Sequence, residues 1–215
     1  MTDILDFLSS VRPYLETLYF IAGIVVAFAA IYALKQISIL KMTLQVQSKR
    51  DALKITSEQC ELYFNQIIPL QDSFYNNLEK HSIKYFEGWS VDIENDSISV
   101  SRQSQPKMEN FEKIIGSLSV LNALESFSAF FVSKVADERV AYDTVGTNFL
   151  GFTKNLMPWI IGCRKDGHFK NLTQLFVLWE TRRLHLELLQ EKRDLNKKLR
   201  NTQMKITVPI GAENT

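Results

Sequence analysis

The sequence is poor in the residues that build loops, cross-links and cofactor sites. Only eight glycines and five prolines occur in 215 residues, which argues against a loop-rich or disordered chain and for long regular elements. Two cysteines, Cys60 and Cys163, cannot form a disulfide framework and are too isolated to suggest a zinc site. No excess of one charge exists: 25 Lys+Arg face 24 Asp+Glu, a net charge of +1. A generally basic nucleic-acid binder is thereby excluded, and only a local basic patch stays open. No glycines stand at the spacing of a nucleotide cradle, and no Gly-x-Ser-x-Gly turn is present. His81, His168 and His185 are not paired four apart, so no helical zinc motif arises. The expectation is a protein without cofactor or metal, and not an enzyme.

What is present is one long apolar run. Thr17 to Leu34 reads TLYFIAGIVVAFAAIYAL, without a charge, and Ile37, Ile39 and Leu40 extend it past Lys35. A helix crossing the hydrocarbon core needs about 20 mostly apolar residues, and a lysine at the edge can reach the headgroups. Tyr14, Tyr19 and Tyr32 lie near the two ends, where rings with a polar tip favour the interface. A cleaved signal peptide would need a basic start, whereas Asp3, Asp6 and Glu16 face only Arg12 here. The run therefore predicts a transmembrane helix over 17–40. Lys35, Lys41, Lys49, Arg50 and Lys54 follow it, so the N-terminus is expected outside and the body in the cytoplasm of a bacterial inner membrane. Ile4, Leu5, Leu8 and Val11 would give residues 1–16 one apolar face before Pro13, as a short interfacial helix or a kinked extension of the span. Gly23, Ala27 and Ala30 share one stripe of small residues, the pattern by which membrane helices pair, and are candidates for self-association.

Beyond the span the pattern is helical. Ile39, Val46, Leu53, Cys60 and Ile67 recur every seven residues and predict a stalk helix over 41–68, with Lys49, Arg50 and Thr56 weakening any coiled coil. Pro69 should bend or restart it, and Phe74, Leu78 and Tyr85 predict helix from Leu70 to Tyr85. Val91, Ile93, Ile98 and Val100 alternate with polar residues, so a small β-hairpin or an irregular loop is expected near 90–101. Pro106 should open a helix running to about Lys134; Asp137 should cap the next, which Lys165-Asp166-Gly167 ends. A last helix is expected from Asn171 to about Asn201, with leucines at helical spacing throughout, before a frayed tail over 206–215. The fold class is thus all-α: a single transmembrane helix continuing into a cytoplasmic helical domain over 69–205, large enough to bury a core.

Three sets of polar residues stand out. Glu125 lies on an otherwise apolar helix and, if buried, calls for a cation such as Arg139 or Arg164, as a structural pair or as a polar site. Cys163 precedes Arg164 and Lys165, which could lower its pKa; as a small filler at a helix end it would be inert. Arg182, Arg183, Lys192, Arg193, Lys197 and Lys198 make the last helix basic. They suit a solvated face, anionic lipid or a protein partner; with no stacking aromatics beyond Trp179 they argue against nucleic acid.

The order of span, continuous helix and body, with LNALESFSAFFVSKVADERVAYDTVG, NLMPWIIGCRK and FKNLTQLFVLWETRR, carries a resemblance. Residues 15–185 resemble an uncharacterised bacterial family of N-terminally membrane-anchored, all-helical proteins of a domain of unknown function, some labelled as phage abortive infection proteins. In that family an acidic residue follows an Asn-x-x-Glu-like pattern in a core helix, here Asn122 and Glu125, and an aromatic region precedes the terminal helix, here Trp159. The segment from Asp92 to Ser101 departs from it. The resemblance implies anchoring and a defence setting, with no reaction attached. The expected function is a membrane-anchored interaction or scaffold protein that meets lipids and binds an unknown protein partner or itself, as an oligomer through the transmembrane helix. The alternative is an anti-phage effector that perturbs the bilayer when triggered.

Overall fold

The computed structural model describes residues 2–94 and 97–202, and side chains from residue 11 onward. The apolar face expected of Ile4, Leu5 and Leu8, residues 95–96 of the expected hairpin or loop and the tail expected over 206–215 lie outside the described side chains and residues. The chain divides into two compact units, Met1–Ala52 and Leu53–Thr215.

The first unit is a single helical rod, part of a helix α1 that covers Thr2–Leu62. It passes through Pro13 without a break, and Thr17 Oγ1 donates to the Pro13 carbonyl at 2.8 Å. No side chain from Arg12 to Asp51 is buried. The residues named for helix pairing, Gly23, Ala27 and Ala30, are among these exposed positions, and a Cβ at Gly23 would meet nothing within 4 Å.

In the second unit the end of α1 turns inward. The heptad stripe divides here: Ile39, Val46 and Leu53 are exposed, while Cys60 and Ile67 are in the core. A π-turn over Tyr63–Ile67 inserts Tyr63 and Ile67 into that core, and the helical backbone continues through it into α2 (Ile68–Lys80), with Pro69, which lacks an N–H, directly after the π-turn. The helix expected to reach Tyr85 stops at Lys80. Ser82 adopts a left-handed φ of 51°, the Ile83 N–H bonds the Leu78 carbonyl at 2.9 Å and the Ser82 N–H that of Glu79 at 3.0 Å. These bonds close the helix in the manner usually given to glycine.

Strands β1 (Trp89–Glu94) and β2 (Ser97–Arg102) form an antiparallel hairpin in which Val91 pairs Val100 and Ile93 pairs Ile98. Its apolar face packs against α4 (Glu138–Arg164) and α5 (Lys170–Asn201), which supplies the support a lone hairpin lacks. The helix expected from Pro106 does not start there. Residues 103–110 are irregular, and Asn110 is left-handed at φ 58°. Phe111 sets the start instead: its ring lies 5.0 Å from Tyr85 and 4.7 Å from Trp159, and a 3-10 stretch, Phe111–Leu118, leads from it into α3 (Ser119–Val132).

Helix α4 begins as its sequence dictates. The Asp137 carboxylate accepts from the Arg139 and Val140 N–H groups, and the Asp137 N–H donates to Thr56 Oγ1 at 2.7 Å, tying the cap to α1. Helices α3, α4 and α5 then enclose the core around Trp179, whose ring lies 4.8 Å from Phe149 and 6.2 Å from Phe131.

Candidate functional site

Among the described residues, two helical stretches are long and apolar enough to cross a membrane. One includes the run after Val11 and has none of its most apolar window buried; the other, Phe111–Val132, supplies Phe111, Ile114, Leu121, Leu124, Phe127 and Phe131 to the core. On the first, the apolar side chains from Tyr14 to Leu44 are between 53% and 78% exposed. Such a surface is the principal candidate for function, because ordinary folded monomers do not leave a continuous apolar patch of this size in water.

The polar clusters lie in the body. Glu125, half-buried on α3, reaches the first turn of α5. Its Oε1 accepts from the Asn171 N–H at 3.1 Å and the Asn171 Nδ2 at 2.9 Å, and its Oε2 accepts from the Leu172 N–H at 2.7 Å. Phe169, the residue at the N-cap of α5, makes no side-chain cap, so a carboxylate from another helix does that work. The expected arginine partners are placed elsewhere: Arg164 bonds Thr173 Oγ1, and Arg139 is exposed at the start of α4. The Asn122 side of the same helix is exposed.

A second cluster ties α4 to α5. Glu138 accepts from Trp179 Nε1 and, at 2.7 Å, from Arg182, whose guanidinium stacks 4.8 Å from the Tyr142 ring centre. One turn along, the buried Glu180 accepts from Arg183 at 2.7 and 2.8 Å and from Lys154 at 3.3 Å. The Arg183 fork holds the Glu180 carboxyl below the usual carboxylate range, against the opposing effect of burial. Arg182 and Arg183 therefore belong to the body's own ion pairs. Lys192, Arg193, Lys197 and Lys198 are exposed, without an ion pair among the described residues. Glu180 was legible in the sequence, since it continues the core series Leu172, Phe176 at four-residue spacing.

The remaining reactive groups are quiet. Burial, then Asp166, push the Cys163 thiol up, the reverse of the direction expected from Arg164 and Lys165. Burial likewise raises Cys60 and Tyr63. The Tyr63 hydroxyl donates to Asn148 Oδ1 at 2.8 Å and accepts from Gln71 Nε2 at 3.0 Å, so its hydrogen bonds are made inside the fold. Among the described residues no group of three or more His, Cys, Asp or Glu is close enough to hold a metal ion. Open clefts among the described residues of the body include one of about 770 Å³ walled by Tyr75, Phe86 and Trp89 and one of about 560 Å³ beside Arg164 and Gln174.

A family model for a domain of unknown function, DUF4760, matches residues 18–179, 162 of the 215 residues. The chain belongs to this family. The DUF4760 match takes in the apolar run of α1 and the body together, and it ends at Trp179, where the buried part of α5 gives way to its exposed part. No curated protein and no solved structure matches the chain.

Proposed function

We propose that this protein is a single-pass membrane-anchored helical scaffold of the bacterial inner membrane, with its N-terminus outside and its body in the cytoplasm, working by binding a protein partner or a second copy. The observation that carries the reading is the exposed apolar surface of α1 from Tyr14 to Leu44. Eighteen uncharged residues, Thr17–Leu34, rise about 27 Å as a helix, close to the ~30 Å hydrocarbon core, and Ile37–Leu40 supply the remainder. In lipid that surface is solvated and every backbone group is bonded within the helix. The basic residues that follow it support the orientation, and the family match across anchor and body supports their acting together. Ultracentrifugation of a detergent-free lysate tests the anchor. The full-length chain is expected in the membrane pellet, resistant to carbonate and released by detergent; its appearance in the supernatant refutes the reading.

A second reading, an effector that clusters and damages the bilayer when triggered, draws on the open helix face at Gly23. Induced expression with a membrane-potential dye separates the two: the effector depolarises cells and the scaffold does not.

A further inference from the structure

Charge on α1 is one-sided beyond the apolar run. From Thr17 to Arg50 the sequence contains no aspartate or glutamate; its charges are Lys35, Lys41, Lys49 and Arg50 alone, and the next acid is Asp51. All four cations are exposed, and none makes an ion pair among the described residues. The basic end of α5 differs, because Lys192, Arg193, Lys197 and Lys198 are interspersed with Glu187, Glu191 and Asp194. Apolar side chains also persist on α1 past Leu40: Met42, Leu44 and Val46 are 63%, 56% and 48% exposed. Ile37, Lys41, Leu44 and Ser48 follow one another at spacings of four, three and four, so they stack on one helix face, with Leu40 beside them.

A phospholipid presents complementary parts in the same order, an acyl chain and then a phosphate. With the hydrocarbon edge near Leu40, Lys41 stands in the headgroup layer, which is about 5–7 Å thick. Lys49 and Arg50 lie about 14–15 Å beyond Leu40 along the helix axis. Side chains on a helix lean toward its N-terminus, here toward the bilayer. That lean brings the Lys49 and Arg50 charges to within about a Debye length, ~8 Å, of the phosphates. With no acid among these residues, the attraction to an anionic headgroup is unopposed until Asp51. We propose that residues 35–50 select anionic phospholipid from the bilayer around the anchor. Lys41 meets the lipid phosphate, Lys49 and Arg50 add attraction from the water side, and Ile37, Leu40 and Leu44 lie against the acyl chain. A nucleic-acid backbone would meet the same cations but would leave the interleaved leucines and valine in water, which favours lipid. The inference rests on the anchor reading above and names the lipid class that the anchor gathers at its basic edge.

The test uses the full-length chain reconstituted into vesicles of about three parts phosphatidylcholine to one part phosphatidylglycerol, with a trace of either lipid spin-labelled on its acyl chain. Electron paramagnetic resonance reads the fraction of each label slowed by contact with the protein. Phosphatidylglycerol is expected to be favoured over phosphatidylcholine about threefold at about 0.1 M salt, and the ratio to fall toward one at about 1 M, where the Debye length drops from about 10 Å to about 3 Å. Lys41→Gln with Lys49→Gln and Arg50→Gln should bring the ratio close to one at low salt. Lys41→Arg with Lys49→Arg, which keeps the charges, should retain it, and Lys197→Gln with Lys198→Gln on α5 should leave it as in wild type. Equal contact in wild type overturns the proposal, as does a preference that survives the three glutamines. Should the glutamine variant fail to insert, wild type decides: a preference unchanged at high salt overturns the proposal. Slowed phosphatidylcholine reports insertion in every sample. Its presence without a preference leaves the anchor standing and refutes the lipid selection, whereas no slowed lipid of either kind refutes both.

Discussion

Removing the Glu125 carboxylate exposes the start of α5, and the cost follows from what it holds. Three donors converge on it at 2.7–3.1 Å: the Asn171 N–H, the Asn171 side-chain amide and the Leu172 N–H. Phe169 offers no side-chain cap in its place. Loss of an N-cap acceptor costs about 1 kcal/mol, and loss of a negative charge near a helix N-terminus about another 0.3–1 kcal/mol. The site is only half-buried, so water takes up part of the vacated bonding. Glu125→Ala is therefore expected to destabilise the body by about 1.5–2 kcal/mol, lowering Tm by about 3–8 °C for a domain of this size. Glu125→Gln keeps one acceptor oxygen but turns a donor toward Leu172, and should retain less than half of the stabilisation. Asn171→Ala removes one donor of three and should cost well under 1 kcal/mol. Thermal unfolding of the full chain in micelles, followed by circular dichroism, measures these values, and hydrogen exchange locates them at the Asn171 and Leu172 amides. A Glu125→Ala protein with unchanged Tm and unchanged Leu172 protection would refute the assignment of Glu125 as the cap of α5.

Other outcomes follow from the same structure. The Glu180 carboxyl has a pKa lowered by Arg183, so its contribution is fully present above the unfolded value near 4.5 and is lost as pH falls through the lower folded value. Wild type should accordingly lose stability below about pH 4.5 more steeply than Glu180→Gln, read from urea midpoints across pH; parallel profiles would count against the buried pair. Cys163, with a raised thiol pKa, should react with iodoacetamide at pH 7.5 more slowly in the folded protein than after unfolding, as followed by mass spectrometry; faster reaction when folded would contradict the direction. In the apolar run, Val25→Arg with Val26→Arg should shift the chain from the membrane pellet toward supernatant or aggregate, whereas Lys192→Ala with Arg193→Ala should leave it in the pellet.

Periodicity carried much of the fold. The span-length run, the alternation of Val91, Ile93, Ile98 and Val100, and the Asp137 cap are each local signals, and each has its counterpart in α1, the hairpin and α4. The errors arose where a helix end depends on residues that do not advertise it. Ser82 and Lys134 are left-handed, and the Lys134 and Val135 N–H groups return to Phe131 and Phe130 in the same closing pattern as at Ser82. Ser82 is not glycine, so composition gave no stop signal there, whereas the end expected at about Lys134 lies within two residues of Val132. Pro106 is compatible with a first helical turn but does not require one; the aromatic contacts of Phe111 decide where the helix begins. Glu125 was conspicuous as a polar residue in an apolar helix, but its partners are backbone N–H groups 46 and 47 residues away, which no residue pattern displays. The heptad from Ile39 to Ile67 read as one stripe because periodicity reports facing direction and says nothing about whether a partner exists on that face.

That distinction also separates the satisfied polar groups of the molecule from its exposed apolar surface. The acids that hold the body together are satisfied: Glu125 by three donors, Glu138 by Trp179 and Arg182, and Glu180 by Arg183 and Lys154. The buried Cys60 thiol and Tyr63 phenol and the half-buried Cys163 thiol are shifted away from their reactive forms. Hydrophobic surface is the part of the molecule with unmet interactions, and it is concentrated in two helical segments, the run from Tyr14 to Val46 and the leucines from Leu184 to Leu199. The first is long, nearly uncharged and apolar all round, so it suits a solvent of hydrocarbon. The second, which also includes Leu186 and Leu189, is interrupted by acidic and basic residues along its length and is too polar for the bilayer interior. The two exposed apolar surfaces thus differ in kind: one is almost free of charge, and the other is interrupted by charges of both signs.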